Sequence, residues 1–440
     1  MIDIILPQNV EHIISELEKN GYEAYIVGGC VRDSLMNRNP NDWDITTNAK
    51  PEQTMACFEK TIPTGIKHGT ITVMIDKEPY EVTTYRIDGQ YKDSRRPDNV
   101  EFVEDITKDL ARRDFTINAI AYNPKRGFVD PFDGIKHIYE KLVTTVGDAD
   151  TRFTEDNLRI IRAVRFEHQL KFNMSKETYE SIKRNKNLIK NVAKERIQQE
   201  FNKMLLSNDG YFLYRLEELD LLDKIIPEAK EFKNVAQNNP HHRYNVFEHT
   251  VEAVNNIENE LHLKLSALFH DIGKAQAKTT DKNNIDHFYN HPQKSFNIAR
   301  KVLNELRYDK KTIDIVTKLI LYHDRPVDTT KKAVKKMINL LGSYEMFKDW
   351  ISLRFADILA QNPKYSRSKL EKLVKIELIA QEIIDLGEPF TLKELVVNGN
   401  DIMKLGYKGN EVGKILERLL EIVIEDERLN NREYLISQIE

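Results

Sequence analysis

The sequence predicts an α+β head followed by an all-helical body. Strand-forming runs occur only in the first third of the chain, whereas apolar residues recur every three or four positions from about residue 154 onward. Gly and Pro are scarce, at 17 and 14 of 440 residues, so few tight turns are encoded. These observations favour a small mixed sheet with helices, followed by long helices, over a sandwich or a barrel.

Turn residues bound each predicted strand of the head. The strands cover residues 25–27, 43–45, 70–75 and 80–85. The last two flank residues 76–79 and predict a hairpin. Helical periodicity over about 9–19 and 107–122 adds helices to the head.

Composition divides the chain into four predicted domains: 1–150 with the strand signals, 151–235 as a helical neck, 240–330 rich in histidine, and 331–440 as a body of amphipathic helices. Eight of the 12 histidines lie between His241 and His323, where an even spread would place about two. That clustering indicates a site with its own chemistry.

Several classes of protein are excluded by composition. The sequence has no run of about 18 apolar residues and no N-terminal secretion pattern, so we expect a cytoplasmic protein with no membrane partner. Cys30 and Cys57 cannot form a disulfide framework. The 66 basic and 70 acidic residues give a net charge of -4, so a nucleic acid would have to bind a local basic surface. The oligomeric state is left open.

A candidate phosphate-binding turn follows the first strand. Gly28 and Gly29 let the backbone approach a phosphate, the following helix contributes its N-terminus, and Arg32 can donate to phosphate oxygens. Taken alone, such a Gly-Gly pair is usually an ordinary turn.

Paired carboxylates follow the glycine turn. Asp42 and Asp44 are two residues apart, so on a strand they point to one face and could hold Mg²⁺ through hard oxygen ligands. Glu81 on the hairpin is a candidate third acid. Such a cluster suits phosphoryl transfer with two metal ions.

The spacing from Gly29 to Asp42 resembles the DNA polymerase β-type nucleotidyltransferase superfamily. Further motifs resemble class II CCA-adding tRNA nucleotidyltransferases and bacterial poly(A) polymerases, and they occur in that family's order. These motifs are Arg95-Arg96-Pro97, Arg112-Arg113-Asp114-Phe115-Thr116-Ile117-Asn118-Ala119, Glu155-Asp156-Asn157-Leu158-Arg159 with Arg162 and Arg165, and Lys194-Glu195-Arg196.

This resemblance implies a role for each matching residue. Asp42 and Asp44, with Glu81, would be catalytic and bind Mg²⁺, and Gly28, Gly29 and Arg32 would hold the triphosphate. Nucleotide binding would also involve the residues of the later motifs: Arg113, Asp114, Asp156, Arg159, Arg162 and Arg165.

Asp156 and Arg159 would read the base. Cytosine and adenine both present an amino donor beside a ring-nitrogen acceptor, which a carboxylate and a guanidinium complement, whereas uracil and guanine reverse that pattern. Arginines spaced by three residues wind around a helix, so the three arginines of this motif cannot all serve one base.

The histidine-rich region resembles the HD phosphohydrolase superfamily. The resemblance rests on Glu248-His249-Thr250, Phe269-His270-Asp271-Ile272-Gly273, His287 to His291, and Tyr322-His323-Asp324. It implies metal ligands at His249, His270, Asp271 and Asp324, with His323 as an alternative to Asp324. His287 and His291 would lie behind the ligands or contact phosphate. Imidazole and carboxylate ligands suit Mn, Fe, Ni or Zn.

The family resemblance extends to the C-terminus. Residues 395–409, with Gly399, Gly406 and Gly409, resemble a stretch of the same family whose helical body holds the acceptor and T arms of tRNA. The implied function is addition of C, C and A to the 3′ end of tRNA from CTP and ATP, with release of pyrophosphate. Three alternatives stay open: an A-adding or CC-adding specialist, a poly(A) polymerase, and an HD phosphohydrolase with an inactive RNA-binding head.

Overall fold

The computed structural model describes residues 3–89, 99–207 and 209–439, which form two compact units. Unit 1 comprises Met1–Met204 and Phe212–Ile225, and unit 2 comprises Leu205–Tyr211 and Ile226–Glu440. The α+β head and the helical body are both confirmed.

The strands described in unit 1 are Ala24–Val27 (β1), Ile45–Thr47 (β2), Thr61–Gly65 (β3), Thr70–Ile75 (β4), Glu78–Thr84 (β5), Arg86–Asp88 (β6), Val100–Phe102 (β7), Ala121–Asn123 (β8), Gly127–Val129 (β9), Leu142–Val143 (β10) and Asn173–Met174 (β11). Seven of them form a mixed sheet at the centre of the unit, with strand order β3-β4-β5-β2-β1-β8-β9. Neighbouring strands of this sheet are antiparallel except for β2 and β5, which are parallel. The other strands form two smaller pairs, β6 with β7 and β10 with β11.

Helices pack around this sheet and continue beyond it. They are Gln8–Lys19 (α1), Gly29–Leu35 (α2), Pro51–Ala56 (α3), Ile106–Ala111 (α4), Gly134–Tyr139 (α5), Ala149–Glu155 (α6), Arg159–Leu170 (α7), Lys176–Asn185 (α8), Lys194–Leu205 (α9), Phe212–Glu218 (α10) and Leu222–Ile225 (α11). Tyr25, Tyr85 and Leu110 lie in a buried cluster that joins β1 to α4. Their burial fixes the sheet against the segment that carries Arg113 and Asp114.

The structure corrects two predicted elements of the head. The helix predicted over 107–122 ends at Ala111, because the chain turns there and residues 121–123 pair with β1 as strand β8. The strand predicted over 43–45 begins at Ile45, so Asp42 and Asp44 precede it. The predicted hairpin is present, with a tighter turn at Asp76 and Lys77, both at positive φ.

Unit 2 is almost entirely helical. Its helices are Ala229–Phe232 (α12), Val246–Asn255 (α13), Leu261–Phe269 (α14), Lys274–Ala277 (α15), His291–Glu305 (α16), Lys310–Tyr322 (α17), Lys331–Leu341 (α18), Tyr344–Leu359 (α19), Pro363–Asp385 (α20), Gly399–Lys404 (α21), Asn410–Glu425 (α22) and Arg432–Ser437 (α23). Thr279–Thr280 (β12) and Asp286–His287 (β13) form a short antiparallel pair. Across the described ranges, no helix has the length and apolar character needed to span a bilayer.

Gly273 allows α15 and α16 to approach closely. A Cβ at this position would lie 2.5 Å from the Ser295 backbone nitrogen and 2.9 Å from the His291 carbonyl oxygen. Gly413 in α22 is the opposite case, since a Cβ there would meet nothing within 4 Å.

We expect Gly273→Ala to lower the free energy of unfolding by about 1–3 kcal/mol, the usual effect of overpacking. The same change at Gly413 should raise it by about 0.5–1 kcal/mol, because alanine is the better helix former. Urea unfolding of the two variants measures both effects. Equal changes in the free energy of unfolding of the two variants would contradict the close approach of the backbone at Gly273.

Candidate active sites

The predicted glycine turn joins β1 to α2. Gly28 has a φ of 81°, and a Cβ there would lie 2.8 Å from Nη1 of Arg113. A glycine is therefore needed both for the backbone conformation and for the close approach of the guanidinium. Arg113 is largely buried, its Nη1 donates to the Asn118 carbonyl, and its charge partly offsets the rise that burial causes in the pKa of Asp44. It therefore connects the turn to the acidic residues.

Asp42, Asp44 and Glu81 lie together because of the parallel pairing of β2 with β5. Ile45 pairs with Val82, so Asp44 and Glu81, one residue earlier on each strand, are neighbours at the same end of the sheet. All three carboxylates are exposed to a cleft of about 730 Å³, which Thr72 and Tyr80 also line.

The three carboxylates repel one another. Partial burial raises the pKa of Asp44 and of Glu81, and the neighbouring carboxylates raise both further. A cation among these oxygens would remove that repulsion, and carboxylates are the ligands that Mg²⁺ prefers. The donor set therefore fits Mg²⁺.

The guanidinium group of Arg32 already has protein partners, whereas the resemblance predicted that it would bind the triphosphate. Its side chain is buried, its Nη1 donates to Oδ1 of Asn118 at 2.6 Å, and it pairs with Asp33 at 2.8 Å. Arg32, Arg162 and Arg165 have their guanidinium carbons 5.1, 5.2 and 4.1 Å from the centre of the Phe166 ring. The ring thus holds together guanidinium groups from α2 and α7.

Asp114 is buried within the same polar network. Its Oδ2 accepts from Nε and Nη2 of Arg162 at 2.8 and 2.6 Å, and its Oδ1 accepts from Asn118 at 3.1 Å. Burial alone would raise the pKa of Asp114, but the charges of Arg162 and Arg159 outweigh it and hold that pKa far below its usual value. Asp114 is therefore a fixed negative charge that orients Arg162.

The predicted base-reading pair is separated into two other pairs. Asp156 accepts from both Nη atoms of Arg196 at 3.0 and 2.8 Å, whereas Arg159 pairs with Glu155 at 2.7 Å and donates to the Arg112 carbonyl. Both side chains are mostly buried, and each has its own partner. They therefore do not form with each other the surface ion pair that their spacing alone would favour.

The three arginines of α7 do not all share one partner, as their spacing predicts. Arg159 pairs with Glu155 and Arg162 with Asp114, whereas Glu200 lies 2.8 Å from Arg165 and also 3.7 Å from Arg162. Burial, and the charge of Arg162, lower the pKa of Arg165 to about 10. Sequence reasoning missed the roles of Arg196 and Glu200, although Arg196 lies in a quoted motif. The Arg95-Arg96-Pro97 motif lies outside the described residues.

Unit 2 brings its histidines together around Asp271. His249, His270 and Asp357 lie on the side of its Oδ2, and His291 and His323 lie on the side of its Oδ1. The Nε2 atoms of His249 and His270 are 3.2 Å apart, as are those of His291 and His323. Asp357 completes the first group, with its Oδ1 3.2 Å from Nε2 of His249. One carboxylate therefore joins two clusters of donors.

The other ring nitrogen of each histidine is held by the backbone. Nδ1 of His249, His270, His291 and His323 contacts the carbonyl of Ala360, Ala267, Phe288 and Ile320 in turn, at 2.7 to 3.3 Å. A carbonyl oxygen can only accept, so Nδ1 carries the proton and Nε2 presents a lone pair in the neutral ring. Burial, together with the charges of His291 and His270, holds the pKa of His323 well below its usual value.

Facing lone pairs 3.2 Å apart repel unless a cation lies between them. The two clusters, which share the carboxylate of Asp271, therefore fit two metal ions bound by imidazole and carboxylate. Lys274 lies 2.6 Å from Oδ2 of Asp271 and adds a positive charge beside the clusters.

The structure places three of the predicted residues of the histidine-rich region at different distances from the clusters. Asp324 is 58% exposed and faces Arg354, while its neighbour His323 is buried in the cluster at the end of α17. His291 lies among the candidate ligands and not behind them. His287 is outside the clusters and pairs with Asp281 at 3.1 Å. Asp357 was missed, and its one signal is a lone Asp in an otherwise apolar stretch of α19.

Comparisons with known protein families match three segments of the chain. The family described as "Poly A polymerase head domain" matches residues 24–144, and "Probable RNA and SrmB- binding site of polymerase A" matches residues 171–233. The family described as "HD domain" matches residues 241–376, beyond the predicted end at residue 330 and far enough to include Asp357.

The chain carries a poly A polymerase head domain at residues 24–144 and an HD domain at residues 241–376. The family resemblance carried by the sequence motifs is therefore confirmed.

Curated relatives match slightly less than half of the chain. The CCA-adding enzyme of Lactobacillus helveticus (strain DPC 4571) is 50% identical over 192 residues, which is 44% of this chain and 48% of the relative. The CCA-adding enzyme of Geobacillus kaustophilus (strain HTA426) is 50% identical over 213 residues, 46% of this chain and 53% of the relative. The chain thus spans about half the length of the curated relatives it matches.

A solved structure matches nearly the whole chain. The Bacillus stearothermophilus CCA-adding enzyme in complex with CTP is 27% identical, with a TM-score of 0.74 over 99% of this chain and 98% of that one. The Thermotoga maritima CCA-adding enzyme, solved with tRNA, shares the fold at 18% identity and a TM-score of 0.60 over 100% of this chain and 97% of that one.

The two clusters predict that the HD domain binds two transition-metal ions. Elemental analysis after loading with Mn²⁺ and gel filtration should show that Asp271→Asn loses two ions per chain, because its carboxylate belongs to both clusters. Asp324→Asn is the matched control and should retain both. If only the Asp324 variant loses metal, Asp324 is a ligand, as the sequence resemblance implied, and the ligand set inferred from the structure is wrong.

Proposed function

We propose that this chain adds C, C and A to the 3′ end of tRNA in the cytoplasm, using CTP and ATP without a nucleic-acid template and releasing pyrophosphate. The observation that carries the proposal is the cleft in which Asp42, Asp44 and Glu81 lie beside Arg113 and the glycine turn. Relatives named as CCA-adding enzymes are about 50% identical to this chain over 44% to 46% of its length, which supports the same assignment.

The three carboxylates would hold Mg²⁺, which supplies charge stabilisation to the triphosphate and lowers the pKa of the attacking hydroxyl. The terminal 3′-hydroxyl of the RNA is the nucleophile, so no protein nucleophile is needed. Gly28 and Gly29 would leave room for the phosphates, and Arg113 would pair with them. Positioning and electrostatic stabilisation would supply most of the rate.

Base selection is assigned to Asp156 and Arg159, as the family resemblance implies. Arg196 and Glu155 would act behind them, because each holds one of the two side chains in a fixed orientation. Arg32, Arg162 and Arg165 form a cluster of guanidinium groups around Phe166, and Asp33, Asp114 and Glu200 pair with them in turn. This cluster would bind nucleotide or RNA phosphates.

The C-terminal residues 331–440 are proposed to bind the acceptor and T arms of tRNA. A chain with a net charge of -4 must bind RNA through local Lys and Arg side chains, so binding should weaken steeply with salt. A-adding or CC-adding specialists and poly(A) polymerases share the head, and the products distinguish them. Poly(A) synthesis is disfavoured by the absence of a strongly basic net charge.

A second activity is favoured by the paired clusters around Asp271. We propose that the HD domain hydrolyses phosphoesters with two ions of Mn, Ni, Fe or Zn. Asp271, with the four histidines and Asp357, would hold them, and the metal centre would supply an activated water. Lys274 would contact the substrate phosphate beside Asp271.

We expect Asp44→Asn to lower kcat for CTP incorporation into tRNA by at least about 100-fold, because one of three converging carboxylate charges is lost. Asp76→Asn is the control: Asp76 lies in the turn of the hairpin that carries Glu81, it is exposed, and Asn tolerates its positive φ. Single-turnover incorporation of labelled CTP measures both variants. Equal rates for the Asp44 variant and the wild-type protein would rule out the proposed metal site.

We expect His270→Ala to abolish metal-dependent phosphoester hydrolysis while CTP incorporation continues. The side chain supplies one of the facing nitrogens in unit 2 and lies outside the head. Hydrolysis of bis(p-nitrophenyl) phosphate and CTP incorporation are measured on the same preparation. Hydrolysis by the His270→Ala variant at the wild-type rate would rule out the HD domain as the source of that activity.

A further inference from the structure

A cavity of about 380 Å³ lies directly over the paired clusters of the HD domain. Asp271, His291, His323 and Asp357 line one part of it, and His287 and Tyr289 line another. Its size falls within the range of small-ligand sites. A phosphate at the clusters would therefore share the cavity with two aromatic rings.

The rings of His287 and Tyr289 form a stacked pair. Their centres are 5.4 Å apart and their planes differ by 7°. His287 belongs to β13, and its Nε2 contacts Oδ2 of Asp281 at 3.1 Å, which fixes the inner ring. The outer ring of Tyr289 is 72% exposed, so it contributes little to the packing of unit 2.

The chain connects this ring pair to the metal-binding residues. Asn290 has a φ of 59°, and His291 follows as the first residue of α16. Two residues span at most about 7 Å, so the Cα atoms of Tyr289 and the candidate ligand His291 lie within that distance. A single nucleoside phosphate could place its phosphate at the clusters and its base on Tyr289.

We propose that the His287–Tyr289 pair is a nucleobase platform that positions a nucleoside phosphate over the clusters of the HD domain. The proposal deepens the hydrolytic function proposed above and rests on it. Stacking on an aromatic ring tolerates every base, because each base has a π face. The platform would thus select nucleotide esters over phosphoesters that have no base.

A second cavity of about 280 Å³ shows where a longer substrate would continue. It shares Asp324, Gln361 and Lys369 with the first cavity and is also lined by Arg325, Arg354 and Lys372. Lys372 is 48% exposed, with its nearest carboxylate, that of Asp328, at 3.8 Å. The nucleoside phosphate could therefore be free or could be the 3′ end of an RNA whose next phosphate reaches these cations.

The test uses the full chain loaded with Zn²⁺ and 2-aminopurine riboside 3′-monophosphate, whose fluorescence is quenched by stacking. Tyr289→Ala should raise its Kd roughly 5- to 150-fold, the loss of one base–aromatic stack. Tyr289→Phe should keep the wild-type Kd. Tyr139→Ala, an equally drastic change at a 63% exposed tyrosine of the head, should have no effect.

Hydrolysis provides a separate readout. Tyr289→Ala should raise KM for adenosine 3′-monophosphate and leave kcat/KM for glycerol 2-phosphate unchanged, because the latter has no base. Unchanged Kd and KM for the nucleotide in Tyr289→Ala would overturn the platform. Tyr289-dependent quenching without any hydrolysis would keep the platform and remove the hydrolytic function.

The source of the nucleoside phosphate is distinguished by Lys372→Ala. If the substrate is an RNA end, this variant should weaken binding of a short RNA with a 3′-phosphate and leave the mononucleotide unaffected. If the substrate is a free nucleotide, the RNA and the mononucleotide should bind equally well and neither should respond.

Discussion

Electrostatic repulsion among converging donors is the constraint on which both candidate sites depend. In the head, the parallel pairing of β2 with β5 places Asp44 beside Glu81, and the pKa of each is raised by burial and by its acidic neighbours. In the HD domain, imidazole lone pairs face each other at 3.2 Å. A cation bound among the donors would relieve the repulsion in each arrangement.

The surrounding structure supplies what holds these donors in place. In the HD domain, backbone carbonyls orient the Nδ1 atoms of four histidines, and Lys274 partly balances Asp271. In the head, an arginine network around Phe166 is balanced by Asp114 and Glu200. A charge fixed by its partners needs little reorganisation when a charged substrate binds, and this suits catalysis by positioning.

The sequence was informative about secondary-structure elements and motifs, but less so about which side chains pair with each other. Hydrophobic periodicity and turn residues predicted the α+β head, the hairpin and the helical body. The helix predicted over 107–122 was wrong after Ala111, because pairing with β1 outweighs the local helical pattern. Asp156 and Arg159 were predicted together, yet each is held by a partner, Arg196 or Glu155, that their own spacing does not indicate.

The histidine-rich region shows the same limit. His249, His270 and Asp271 could be recognised from adjacent residues, whereas Asp357 is brought to them by the packing of α19. The choice between His323 and Asp324 depends on which side chain faces inward at the end of α17. One residue of helix turns a side chain by about 100°, so burial decides that choice and residue type does not.

The central claim is that the head extends RNA by selecting C and A without a template. The most direct measurement is to incubate the protein, Mg²⁺ and all four nucleoside triphosphates with tRNA transcripts that lack one, two or three terminal nucleotides, and to sequence the 3′ ends. The account predicts that every transcript is completed to CCA and that extension then stops. Long tails of A, or incorporation of U and G as readily as C, would contradict it.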